Sequence, residues 1–173
     1  MKMKKTKKLA LIAILTALYF VLAAMLKIPI AGHITLDLGY VALTVGAVYL
    51  GAVPGMLIGG IGAFLESALL SQRGVSLGWI LMNLIVGGAC GFVLHKTVEE
   101  GRKRFILSAL IVIPASMLLG VAVKTLMDCA IYHLALAVKI PTGIAAWVAD
   151  SAVMLAMGIP MSMALKKRLR LGK

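Results

Sequence analysis

Four carboxyl side chains, Asp37, Glu66, Asp128 and Asp150, stand in stretches of sequence that are otherwise apolar. A charged group at the centre of a bilayer-spanning helix costs on the order of 2.5–3.5 kcal/mol on insertion scales, so each demands a reason. Glu99 and Glu100, the other two acids, fall in a basic polar turn and need none. Helical spacing gathers more polar and aromatic groups around the four. Lys124, Asp128 and Tyr132 follow at i, i+4 and i+8, and Trp147, Asp150 and Met154 share a face. Trp79 and Asn83 are four apart, Asp37 and Tyr40 three apart. Acids, an amide, a lysine and aromatic rings brought together on several helices suit the capture of a small polar heterocycle, because ligand pockets are mostly apolar with a few placed polar groups.

Catalytic chemistry finds no comparable support. The chain has no G-x-S-x-G, no H-E-x-x-H and no nucleophile–base pairing, and no G-x-x-x-x-G-K-[ST] loop to cradle a nucleotide. Cys90 and Cys129 lie in apolar stretches without the spacing of a zinc site or a disulfide framework. Neither an enzyme nor a cofactor or metal is expected. Several of the marked residues also have plain structural readings. Asp37 suits a helix N-cap, Lys124 and Asp128 an ion pair near the interface, and Trp79, Tyr132 and Trp147 an aromatic belt. His33 and His133 read as outer-loop residues.

The elements that must position these groups follow from composition. Of 173 residues, 62% are hydrophobic and 14% charged, against about 25% charged in an average soluble domain. Six apolar helices are predicted, at about Leu9–Leu26, Leu36–Leu50, Pro54–Leu70, Leu77–His95, Phe105–Leu136 and Thr142–Leu165. The fold class is therefore an all-α integral membrane bundle in a single domain. The first span is too long for a secretory h-region and has no A-x-A site after it, so it reads as a retained helix. Fourteen of the 18 basic residues fall in three clusters, at 2–8, 96–104 and 166–173. With six spans, these clusters share one side with both termini, which the positive-inside rule makes cytoplasmic. This arrangement leaves no basic face for nucleic acid. Lys27, Arg73 and Lys139 fall on the other side, and Lys124 inside a span. At ~1.5 Å per residue, Glu66 stands roughly 18 Å above the inner end of its helix, and all four intramembrane acids belong to the outer half. Gly51, Gly55, Gly59 and Ala63, like Gly87 and Gly91, recur every four residues, a spacing that lets helix backbones pack closely within the bundle.

An outward pocket without a matching inward polar path describes a binding subunit, and the pattern resembles a family of such subunits: the substrate-binding S components of energy-coupling factor (ECF) vitamin transporters. The resemblance covers nearly the whole chain. Its most specific part is ITLDLGYVALTVGAVYLGAVPGMLIGGIGAFLESALL, from Ile34 to Leu70, with GWILMNLIVGGACGFV, Gly78 to Val93, resembling the fourth helix. Ala13-Ile14-Leu15-Thr16-Ala17 matches the family's A-x-x-x-A motif, which implies that Ala13 and Ala17 dock on the coupling subunit. Glu66 stands where many members carry an aspartate, which leaves the substrate open. The resemblance implies high-affinity capture of a water-soluble vitamin at the outer face of the prokaryotic plasma membrane, with Lys27–Thr35 as a lid. It further implies a transmembrane coupling subunit and two ABC ATPases as partners. Asp37, Tyr40, Glu66, Trp79, Asn83, Lys124, Asp128, Trp147 and Asp150 are the expected substrate-binding residues. Lys124 and Arg73 would favour a carboxylate-bearing vitamin such as folate or pantothenate, the four acids a donor-rich ring such as a thiamine or pyridoxine derivative, and a flat riboflavin-like ring also fits. The rival readings are a stand-alone proton-coupled transporter relaying protons through Glu66 or Asp150, and a membrane assembly protein.

Overall fold

A computed structural model describes residues 5–25, 28–31, 34–71 and 74–171 of the chain. Lys27, His33 and Arg73, and parts of the proposed lid, lie outside the described residues. The elements in chain order are α1 (Lys5–Met25), β1 (Ile28–Ala31), β2 (Ile34–Leu36), α2 (Gly39–Leu50), α3 (Ala52–Leu70), α4 (Leu77–Glu100), α5 (Arg102–Tyr132) and α6 (Leu136–Val153). A π-helical turn (Met154–Gly158) then leads into α7 (Ile159–Leu171). Among the described residues, five helices are long and apolar enough to cross a membrane, with residues 136–166 counted as one, and α2 is a shorter apolar helix. The protein is thus the all-α membrane bundle that its hydropathy predicts.

Helix α2 forms the centre. Every residue from Gly39 to Leu50 is buried apart from the half-buried Tyr49, as its unbroken apolar sequence requires. Its 12 residues rise only about 18 Å, short of a ~30 Å hydrocarbon core. The segment that precedes it, β2 and Asp37, is not helical. Ile28 pairs with Leu36 and Ala31 with Ile34 in an antiparallel ladder. The second helix therefore begins at Gly39 rather than Leu36, because residues 34–36 pair with β1 instead of coiling.

Close backbone contact joins α3 to α4. A Cβ placed on Gly55 would lie 2.4 Å from the Gly87 carbonyl oxygen, and one on Gly87 would lie 2.3 Å from that of Gly55. Gly59 stands as tightly against the backbone of Asn83, and Gly91 against Gly51. The four-residue glycine ladder is thus internal packing. Gly51 also makes the α2–α3 turn, at φ 96°, a conformation that side chains with a Cβ disfavour. At the same end His95 Nδ1 meets the Val48 carbonyl at 2.8 Å, the Tyr49 hydroxyl donates to Ser162, and Lys166 Nζ donates to the Val98 carbonyl. Helix α1 lies at the periphery and buries Thr16, Tyr19 and Ala23, with the Tyr19 ring seated on Gly62.

Other boundaries also depart from expectation: the first helix starts at Lys5 rather than Leu9, the third at Ala52 rather than Pro54 and the fifth at Arg102 rather than Phe105, and the last ends at Leu171 rather than Leu165. The fourth helix runs on to Glu100, since 96–100 contains no helix breaker, and Glu100 then pairs with Arg104 at 2.9 Å. The fifth ends at Tyr132 rather than Leu136, because His133 takes a left-handed conformation with φ 51°. The sixth begins at Leu136 rather than Thr142, carrying Pro141 within its first two turns. Where that helix nears Pro160 it widens. The Ile159 N–H bonds to Met154 O, five residues back, because a proline at 160 neither donates to the carbonyl four residues before it nor clears that carbonyl sterically.

Candidate functional site

The polar groups of the bundle collect at the end opposite the basic clusters, and they form three layers. The outermost is a cavity of about 340 Å³ lined by Glu66, Ser67, Leu70, Ser71, Ser76, Trp79 and Lys124, within the size range of small-molecule sites. Helix α3 presents Glu66 one turn before its end, and Ser76 caps α4 by accepting from the Trp79 backbone N–H at 3.3 Å. The Trp79 indole N–H donates to Glu66 Oε2 at 3.0 Å, so carboxylate and ring hold each other in the cavity wall.

A lysine–carboxylate triad supports this wall from behind. Lys124 Nζ lies 2.9 Å and Lys139 Nζ 3.2 Å from the same Asp128 Oδ2. Asp128 is buried and both lysines are mostly covered, and Gly78 of α4 packs directly on the Lys124 backbone and the Asp128 carboxylate. One carboxylate between two ammonium groups leaves an excess positive charge beside the cavity. Removing Asp128 strands two partly buried cations. Asp128→Ala is therefore expected to lower stability by about 3 kcal/mol. Lys139→Met, which leaves Lys124 paired, should cost less than about 1 kcal/mol. Thermal midpoints of the purified variants check this order.

Behind Trp79 lies an aromatic and amide layer. The Tyr40 ring meets Trp79 edge-on at 6.3 Å and Tyr19 at 6.4 Å, geometries favoured by ring quadrupoles. The Tyr19 hydroxyl donates to Asn83 Oδ1, and Asn83 Nδ2 donates to the Trp79 carbonyl, both at 3.0 Å. The third layer is acidic. Asp37 accepts the Gly39 N–H at 2.7 Å, as a residue at a helix start does. Asp150 enters from α6 and is 3% exposed. Asp150 Oδ1, the Tyr40 hydroxyl and the Ser151 hydroxyl are buried without a hydrogen-bond partner among the described residues. The other buried serines and threonines, Thr16, Thr44, Ser67, Thr97, Ser116 and Ser162, bond to a carbonyl three or four residues back.

Of the residues singled out in the sequence, Glu66, Trp79 and Lys124 thus share the cavity wall. Tyr40, Asn83, Asp37 and Asp150 stand deeper, and Asp128 positions Lys124. Trp147 is placed apart from them, with its indole N–H given to the Pro114 carbonyl of α5 at 2.8 Å. Tyr19 and Lys139 escaped the sequence reading. The signal for Tyr19 was an i, i+3, i+7 pattern of Thr16, Tyr19 and Ala23 in an otherwise uniform helix. Lys139 was masked by the expectation that its helix starts at Thr142. Ala13 and Ala17 lie on the exposed face of α1. Among the described residues, no group of three or more His, Cys, Asp or Glu side chains is arranged to hold a metal ion.

Residues 3–167 match the model of a protein family described as the ECF-type riboflavin transporter, S component. No curated protein matches the chain.

Proposed function

Because the chain belongs to the family of ECF-type riboflavin transporter S components, we propose that it captures riboflavin, or a vitamin with a similar flat ring, at the outer face of the prokaryotic plasma membrane. One observation carries this reading. A 340 Å³ cavity opposite the basic end has Trp79 on one wall, a carboxylate locked to that indole and a lysine held by Asp128. A heteroaromatic ring stacks on an indole. Its N–H groups find an acceptor in Glu66, and its carbonyls find a donor in Lys124. The ligand would then be imported with the help of two ABC ATPases and a transmembrane coupling subunit, the latter docking where Ala13 and Ala17 leave α1 thin.

The test is ligand stabilisation of the purified protein across a panel of water-soluble vitamins. Riboflavin at 100 times its dissociation constant is expected to add about 2.7 kcal/mol to stability, and Glu66→Ala to remove most of that gain. A well-folded protein that no vitamin stabilises would overturn the reading. So would uptake that continues without the ATPases and stops when the proton gradient is collapsed.

A further inference from the structure

Two ammonium groups on different helices share one carboxylate oxygen beside the cavity. Lys124 Nζ on α5 donates to Asp128 Oδ2 at 2.9 Å, and Lys139 Nζ, in the first turn of α6, donates to the same oxygen at 3.2 Å. The second oxygen, Oδ1, stands against Gly78 of α4, where a Cβ would lie 3.2 Å from it. Packing of α6 on α5 keeps Lys139 within reach. A Cβ on Gly143, one turn after Lys139, would lie 3.2 Å from Val121 Cγ1 and 3.4 Å from Thr125 Oγ1. The two lysines are not equivalent, however. Among the described residues, Lys124 lines the cavity and Lys139 does not. Glu66, the other charged group of the lining, is engaged by the Trp79 indole.

We propose that Lys139 is a positioning residue for the ligand: by sharing Asp128 it leaves Lys124 with charge and N–H donors to spare for an acceptor oxygen in the cavity. An ammonium group has three donors and no acceptor, and Asp128 Oδ2 takes one donor from each lysine. Two ammonium groups and one carboxylate leave one positive charge over, and the member of the triad that reaches the cavity is Lys124. Hydrogen bonds from a charged donor are roughly twice as strong as neutral ones. The group this favours is a ring carbonyl of the ligand, or the same oxygen carrying negative charge. Without Lys139, Lys124 and Asp128 neutralise each other on a single helix, and the cavity wall loses its surplus charge. Lys139 thus acts on the ligand without touching it.

This inference rests on the flavin reading above, and a double-mutant cycle separates the two. Dissociation constants for riboflavin are measured by its fluorescence on the wild-type chain, Lys124→Met, Lys139→Met, the double variant and Lys139→Arg. Thermal midpoints taken alongside show that each is folded. Lys124→Met is expected to weaken riboflavin by roughly tenfold to a hundredfold, the worth of one charge-assisted hydrogen bond. Lys139→Met should weaken it by about tenfold in the wild-type background but by less than about twofold in the Lys124→Met background, since its effect passes through Lys124. Lys139→Arg, which keeps the charge, should stay within about threefold of the wild type. Lys139→Gln, which keeps a donor and loses the charge, should behave as Lys139→Met does. An equal loss in both backgrounds would mean that Lys139 only supports the fold, and no loss in either would mean that Lys124 needs no such help. Both results would overturn the positioning role and leave the flavin reading standing. Failure of riboflavin to bind the folded wild type would overturn both.

Discussion

Gly55→Ala is expected to lose about 4 kcal/mol or more of stability, although the same change in an exposed helix would gain about 1 kcal/mol from helix propensity. The added methyl would lie 2.4 Å from the Gly87 carbonyl oxygen and 3.0 Å from its carbon. These are backbone atoms, so α3 and α4 must separate along their whole length rather than repack one side chain, and that places the change among the exceptional cases of overpacking. Gly60→Ala supplies the comparison on the same helix. Its new methyl meets the end of the Leu84 side chain at 2.7 Å, which can rotate away, and the net cost is expected to stay under about 1 kcal/mol. Thermal midpoints of the two variants in one detergent decide the matter, and equal losses would show that the glycine ladder is not the contact that sets the α3–α4 distance.

That ladder also illustrates which parts of the fold were legible in the sequence. Glycines repeated every four residues in an apolar helix have a direct physical reading, and Gly55 and Gly87 meet as that reading requires. The apolar helices were equally plain, five of them long enough to cross a membrane among the described residues and α2 shorter, because apolar length is the strongest signal a membrane helix carries. Helix ends were less legible. Hydropathy cannot tell Ile34-Thr35-Leu36 in a helix from the same residues in a strand, and nothing local announces the left-handed turn at His133. The late start expected for the sixth helix had a further consequence, since it set Lys139 in a loop and hid its contact with Asp128.

Ala13→Trp combined with Ala17→Trp is expected to abolish vitamin uptake in cells, by about a hundredfold or more, while leaving the ligand dissociation constant of the purified protein within twofold. Both alanines are exposed, on a helix whose most apolar 18-residue window is only 17% buried. Bulk there therefore disturbs no internal packing. Small residues four apart let another helix approach closely, and two indoles in that space would cost a docked partner roughly 3 kcal/mol, about a hundredfold in occupancy. Uptake and binding measured on the same double variant check this. Loss of both together would mean that α1 supports the pocket, and loss of neither would remove this face from the coupling interface.

Within the site, what the sequence made legible were contacts along one helix. Lys124 and Asp128 sit four apart and lie 2.9 Å from each other. Contacts between helices were harder to read. The Glu66–Trp79 bond joins two helices across a loop, and no periodicity forecasts that an indole and a carboxylate will face one another. Trp147 shows the converse. It shares a helical face with Asp150, yet its indole reaches to the α5 backbone, because a long side chain is placed by the partner it finds as much as by its angle on the helix.

The wide turn at Met154–Gly158 sets the angular phase of the sixth span. An i→i−5 turn houses one residue more than the α-helical path would hold, and one residue corresponds to about 100° of rotation. Everything on the outer side of the turn is therefore rotated by roughly that angle relative to the side that ends at Lys166. The inner half is fixed by Gly158 against Thr44 and by Lys166 at the end of α4. Asp150 is thus aimed by the turn below it. The buried Asp150 carboxylate and Pro160, about 15 Å down the helix, are parts of one gearing, and the residue count between them is as much a determinant of where that carboxylate faces as the identity of the acid.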